Sequence, residues 1–142
     1  MLLFFLLFML GCSGFEDVPE RTLPNSDLAL EPYTISQLKG INPASGKFNI
    51  DAYVVMSYTC PACPEGAMCK ACMGDNILVS EINEPKDSYS FTGSELIIFA
   101  KDPEQFELGK MYRFTINIMS HNPSNMINSA EMVGYDLLAK QP

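Results

Sequence analysis

The stretch GKFNIDAYVVMSYTC, residues 46–60, decides the fold because apolar and polar side chains alternate along most of its length. Six side chains are predicted to share one face: Phe48, Ile50, Ala52, Val54, Met56 and Tyr58. Polar residues fall on the opposite face, which Tyr53 and Val55 interrupt. Alternation with a period of two is typical of a strand with one buried face. We therefore predict a long strand after the turn signal at 42–46.

Downstream of this strand, four further segments have strand character. They are DNILVSEI (75–82), ELIIFAKD (95–102), the alternation of Tyr112, Phe114, Ile116 and Ile118, and the alternation of Val133, Tyr135 and Leu137. The segment TISQLKG (34–40) is interpreted as one helical turn or a short helix, with Thr34 as its cap. The sequence thus predicts a mainly all-β domain over residues 33–142, with five strands in a small barrel or sandwich.

One pair of adjacent segments carries a resemblance to a known fold. LIIFAKD (96–102) is followed by FELGKMYRFTINIMS (106–120), a Gly-Lys turn that leads into alternating hydrophobic residues. This arrangement resembles the OB-fold and covers roughly residues 33–140. The resemblance implies a five-stranded barrel with a Cys-rich loop between strands 1 and 2, in which the usual helix shrinks to Asp102–Leu108. An immunoglobulin-like sandwich is the alternative.

The N-terminal sequence indicates where in the cell the protein is located. Leu2–Leu10 form an apolar run of signal-peptide length, too short to span a bilayer, and the run ends at Gly11-Cys12. MLGC resembles the lipobox of bacterial lipoproteins. The resemblance implies a signal peptide at 1–12 with palmitate-type lipidation at Cys12, and a membrane-anchored envelope protein at the outer membrane or cell surface. The alternative is a buried N-terminal strand or helix.

Composition narrows the classes of partner and activity. The chain carries 17 acidic and 9 basic residues, for a net charge of −8, and no run of Lys or Arg, which argues against nucleic acid as a partner. Residues 13–32 have no periodicity and are rich in Pro, Ser and acids, which predicts a flexible tether. His121 and the acids Glu81, Glu84, Glu104 and Glu107 are interpreted as solvated surface, with no catalytic motif around them.

The remaining four cysteines lie in CPACPEGAMCKAC, residues 60–72. Export to an oxidising compartment favours disulfides among Cys60, Cys63, Cys69 and Cys72, in a nested or a crossed pattern. An all-cysteine zinc site is the alternative, and a thiol-disulfide oxidoreductase is the third hypothesis. Met68 and Met73 are interpreted as packing residues of the loop.

Together these features predict a lipid-anchored, non-enzymatic envelope protein without a cofactor, or with zinc on the alternative hypothesis. Its β domain is expected to bind a small molecule, a glycan or an envelope protein at the end that carries the cysteine loop. The membrane is the further partner, through the lipid on Cys12.

Overall fold

A computed structural model describes residues 23–139 as a mostly β structure. In chain order the elements are β1 (Pro32–Tyr33), α1 (Ile35–Ile41), β2 (Gly46–Tyr58), β3 (Asn76–Ser80), β4 (Glu95–Phe99), a 3-10 turn (Pro103–Gln105), β5 (Met111–Ile118) and β6 (Ser129–Leu137). The five predicted strands are confirmed as β2 to β6, and β1 is an additional short strand. The predicted signal peptide with Cys12, and residues 13–22 of the predicted tether, lie outside the described residues. Within 23–139, no helix has the length and apolar character needed to cross a membrane.

The strands close into a ring of hydrogen bonds. The N-terminal part of β2 pairs with β5, and its C-terminal part pairs with β3, both antiparallel. From β3 the ring continues through β4 and β6 and returns to β5, with β4 and β6 as a parallel pair. β1 lies parallel to β2 beside the ring. The long strand predicted from residues 46–60 therefore joins both halves of the sheet.

The main hydrophobic core fills the inside of this ring. It combines alternate side chains of the strands with Ile35 and Leu38 of α1. Both of these helix side chains are fully buried. The helix begins at Thr34 with a capping box, in which the Thr34 side chain and Gln37 satisfy each other's backbone N–H groups. The predicted short helix with Thr34 as its cap is thus confirmed. Phe106, after the 3-10 turn, packs edge-on against Tyr135 with ring centroids 4.8 Å apart.

A β-bulge in β2 reverses which face its side chains occupy. Val54 lies opposite Val79, but Met56 lies opposite Leu78, so Val55 is the extra residue. Val55, Leu78 and Ile97 form a second apolar cluster, separate from the main core, against which Met56 packs. The prediction that Met56 and Tyr58 share the core face of Ile50 is therefore wrong, since the bulge shifts the alternation.

A second bulge changes the alternation in β6. Thr115 of β5 lies opposite Gly134, whereas Ile116 lies opposite Met132, which leaves Val133 as the extra residue. Met132 and Tyr135 pack against the main core, and Val133 does not belong to it. The predicted alternation through Val133 is thus wrong, because the order of polar and apolar residues does not show where an extra residue is inserted.

Residues 24–33, called here the strap, lie along the outside of the sheet. The N–H and hydroxyl of Ser26 both donate to Oδ2 of Asp136, at 2.9 and 2.6 Å. The N–H of Asp27 donates to Thr115 Oγ1 at 2.7 Å. Beneath these bonds Asn49 donates its side-chain amide to the carbonyl oxygen of Asp27 at 2.6 Å. The described part of the predicted tether, residues 23–32, is accordingly packed on the sheet.

The strap has no sequence signature because it is held through polar groups. Asn49 and Thr115 are 0% and 1% exposed, and the Thr115 hydroxyl donates to Asn49 Oδ1 at 2.6 Å. One hydrogen bond joins these two side chains, and both also bond to strap backbone, so their burial leaves few polar groups unpaired. Contacts of this kind need no periodic apolar residues in the strap. A prediction from composition and periodicity therefore takes this segment for a tether.

Candidate functional site: the stapled loop and the wedge

The connection between β2 and β3, residues 59–75, is called here the stapled loop. Cys60 bonds to Cys72 and Cys63 bonds to Cys69, with Cα atoms 5.9 Å apart in both pairs. The nested pattern is confirmed, and the crossed pattern is wrong. Because all four sulfur atoms are used in these bonds, an all-cysteine zinc site would first require their reduction.

A tight turn forms the tip of the stapled loop. The N–H of Ala67 donates to the carbonyl oxygen of Pro64 at 3.1 Å, and Gly66 has a φ of +79°, as the third position of a type II turn requires. Met68, just after the turn, is fully exposed. The interpretation of Met68 as a packing residue is therefore wrong, since the disulfides hold the loop without an apolar contact from this side chain.

The base of the stapled loop is fixed by Asp75. Its Oδ1 accepts a hydrogen bond from the backbone N–H of Cys60 at 2.8 Å. The adjacent Gly74 lies against β4, where a Cβ atom built on the glycine would be 3.6 Å from the Phe99 ring. The outer disulfide and the end of β4 are thus neighbours.

Beside this base, a cavity opens where β4 and β6 separate. The two strands pair at only three positions, the last of which joins Phe99 and Glu131. Beyond them lies a cavity of about 560 Å³, called here the wedge. Its apolar wall contains Leu23, Phe99 and Met132, and its charged residues are Asp75, Lys101 and Glu131.

Two charged side chains that line the wedge have opposite signs. Lys101 and Glu131 are both exposed. Among residues 23–139, neither side chain has an ion pair or a hydrogen bond. Asp75 differs, because its carboxylate already accepts the Cys60 N–H. One cation and one anion therefore remain available around a partly apolar surface.

A second cavity of about 370 Å³ adjoins the wedge, with which it shares Phe99 and Glu131. His121 lines it and is partly buried, with Nε2 3.4 Å from Oδ1 of Asn42. Its Nδ1 is buried and has no hydrogen-bond partner among the described residues. His121 lies in a loop, as predicted, but its ring is less solvated than that interpretation implies, because the β5–β6 loop packs it against Asn42.

Sequence reasoning missed a buried ion pair that holds the β3–β4 loop, residues 81–94. Glu95 is 2% exposed and its carboxylate pairs with the ammonium group of Lys86. The N–H of Lys86 also donates to the carbonyl oxygen of Val55, at 2.9 Å, which fixes the loop on the bulge of β2. The one available signal is the position of Glu95 at the start of the apolar run ELIIF.

Within the described chain, no group of three or more His, Cys, Asp or Glu side chains is arranged to hold a metal ion. Comparisons with protein-family models, with curated proteins and with solved structures found no match for this chain. What the geometry offers chemically is an exposed loop closed by two disulfides, a neighbouring cavity, and two opposite charges without a partner among residues 23–139.

Proposed function

We propose that this chain is a lipid-anchored protein of the bacterial cell envelope whose domain acts as a non-enzymatic binding module. The observation that supports it best is the pairing of four cysteines as two nested disulfides in an exposed loop. Such bonds persist in oxidising compartments and are rare in a reducing cytosol. The MLGC sequence that ends at Cys12 supports the same localisation and supplies the residue for lipid attachment.

We also propose that the ring of β2 to β6 is an OB-like barrel. The strand order β2-β3-β4-β6-β5, closed by pairing of β5 with β2, supports a barrel over a sandwich of two separate sheets. On this proposal the stapled loop is the connection between the first two barrel strands. Binding would take place at the end that carries this loop and the wedge, with a small molecule, a glycan or a protein as ligand.

Lipidation is tested by labelling cells with radioactive palmitate and separating membrane from soluble protein. We expect the wild-type chain to carry label and to be recovered with membranes, and Cys12→Ala to lose the label and to become soluble or remain unprocessed. The matched control is the Cys63→Ser/Cys69→Ser pair, which should keep the label. A Cys12→Ala chain that stays in the membrane with unchanged label and mobility would contradict the proposal.

The state of the four loop cysteines is tested on protein from the native envelope. Intact mass should be lower than that of the reduced chain by four hydrogen atoms, one pair for each disulfide. Four free thiols with bound zinc would instead support the metal-binding alternative. Repeated reduction of insulin with turnover would support the oxidoreductase hypothesis.

A further inference from the structure

We propose that the wedge binds a zwitterionic, partly apolar small molecule, such as an apolar amino acid or a short peptide with free termini. This inference rests on the proposal that the domain is a binding module, and it names the ligand class and the residues. Lys101 would bind the carboxylate of the ligand, Glu131 would bind its ammonium group, and Phe99 with Met132 would contact its apolar part.

The charges carry the first step of the argument. Lys101 and Glu131 line the same cavity and are exposed, yet neither is paired with a residue of the described chain. In a protein with a net charge of −8, a ligand with only an anionic group meets general repulsion. A zwitterion can pair with Lys101 and Glu131 at the same time and adds no net charge, whereas a ligand with only a cationic group would leave Lys101 without a partner.

The shape of the wedge carries the second step. A cavity of about 560 Å³ lies within the range of small-molecule sites, which are mostly apolar with a few placed polar groups. Phe99 and Met132 are partly buried and supply apolar surface in the same cavity as the two charged residues. An aliphatic side chain on the ligand would therefore remove apolar area from water while its termini stay at the charged rim.

The position of the wedge carries the third step. One wall is the end of β4, and another is the base of the stapled loop at Gly74 and Asp75. That base is fixed by the Cys60–Cys72 disulfide and the bond from Cys60 to Asp75. A wall held in this way loses little conformational freedom when a ligand binds.

The test uses the full chain in lipid nanodiscs and three probes. These are the dipeptide leucyl-leucine, its N-acetyl form, which lacks the ammonium group, and its C-terminal amide, which lacks the carboxylate. Binding is followed by the backbone amide resonances of Ala100 and Glu131. We expect saturable shifts with the dipeptide and about tenfold weaker binding for each capped form, as loss of one charge-assisted contact predicts.

Variants then assign each charge to its partner. Lys101→Gln should weaken binding of the dipeptide and of the N-acetyl form about tenfold and leave binding of the amide form unchanged. Glu131→Gln should weaken binding of the dipeptide and of the amide form about tenfold and leave binding of the N-acetyl form unchanged. Lys47→Gln and Glu84→Gln, which remove exposed charges elsewhere, are the matched controls and should change nothing.

Three results would overturn the inference: no saturable shift at the wedge at millimolar dipeptide, equal binding of capped and free forms, or equal losses in the control variants. None of them would alter palmitate labelling at Cys12 or the state of the disulfides. The ligand proposal and the proposed envelope function therefore fail separately.

Discussion

At the scale of single residues, Gly134 is where the strap comes closest to the sheet. A Cβ atom built at this position would lie 2.4 Å from the carbonyl oxygen of Asn25 and 2.9 Å from that of Pro24. The N–H of the next residue, Tyr135, donates to the same Pro24 oxygen at 3.1 Å. The absence of a side chain at Gly134 therefore allows the backbone bond that joins strap and β6.

We expect Gly134→Ala to destabilise the protein by about 1–3 kcal/mol, because strap backbone must move away from the new methyl group. Urea denaturation followed by circular dichroism measures this change. Gly40→Ala in α1 is the control, since nothing lies within 4 Å of its Cβ position. There the same substitution should stabilise by up to about 1 kcal/mol through helix propensity. Equal effects at the two glycines would contradict the close contact.

Lys39 is a second residue whose environment has a measurable consequence. Its ammonium group donates to the carbonyl oxygen of Thr92 at 3.1 Å and to Oδ1 of Asn128 at 3.3 Å, and both acceptors are uncharged. The side chain is 7% exposed. Burial without a compensating charge lowers the pKa of Lys39 below its ordinary value of 10.5.

The lowered pKa predicts how stability varies with pH. Between the folded-state pKa and 10.5, the unfolded chain binds more protons at Lys39 than the folded chain does. Stability therefore rises with pH across this window. We expect the free energy of unfolding of the wild type, relative to Lys39→Met, to increase as the pH approaches 10.5 and then to level off. Urea titrations of both proteins across alkaline pH measure the difference, and a difference independent of pH would contradict the prediction.

At the scale of elements, the β3–β4 loop depends on the pair of Lys86 and Glu95. We expect Lys86→Met to cost about 3 kcal/mol, because it leaves the buried Glu95 carboxylate without its cation. The double variant Lys86→Met/Glu95→Leu should recover most of that loss, since the buried charge is removed as well. Urea denaturation of the two single variants and the double variant measures the coupling. Strictly additive losses would show that the two side chains do not interact.

The stapled loop is the second element with a direct test. Replacing Cys60, Cys63, Cys69 and Cys72 with Ser should lower stability by about 3 kcal/mol, and by no more than about 4 kcal/mol, as expected for short closed loops. Far-ultraviolet circular dichroism should stay unchanged, because β2 ends at Tyr58 and β3 begins at Asn76. A chelator should leave the wild type unaffected while a reductant destabilises it. The opposite pattern would favour zinc.

The positions of β2 to β6 were predictable from sequence, whereas the bulges within β2 and β6 and the course of the strap were not. β5 was located from the alternation of Tyr112, Phe114, Ile116 and Ile118, all of which are buried. Both bulges escaped prediction because one inserted residue shifts the register without altering composition. The strap escaped because backbone groups and polar side chains hold it.

At the scale of the whole molecule, the negative net charge argues against nucleic acid as a partner. The chain has a net charge of −8, and proteins that bind single-stranded nucleic acid combine a basic groove with stacking aromatics. We expect no binding to a fluorescent single-stranded oligonucleotide at physiological salt, as measured by anisotropy. A repeat at low salt is the control for weak electrostatic attraction. Micromolar affinity at physiological salt would contradict this prediction.

The candidate site shows what only the folded chain reveals. The cysteine segment could be singled out in the sequence because its four cysteines lie close together, within residues 60–72. Lys101 and Glu131 could not, since they lie far apart in the chain and look like ordinary surface charges. Parallel pairing of β4 with β6 brings them to one cavity. Long-range pairing of this kind leaves no local pattern.

The strap also sets the order in which the domain can be completed. Ser26 bonds to Asp136, and 110 positions separate the two residues along the chain. A ribosome therefore makes the strap long before it makes β6, and an N-terminal fragment that ends before β6 lacks Asp136 and the bonds that it accepts from Ser26. Folds that depend on such distant contacts form slowly, in roughly milliseconds to seconds. The bonds that join the strap to β6 accordingly form only after synthesis has reached β6, although the strap is the earliest described segment of the chain.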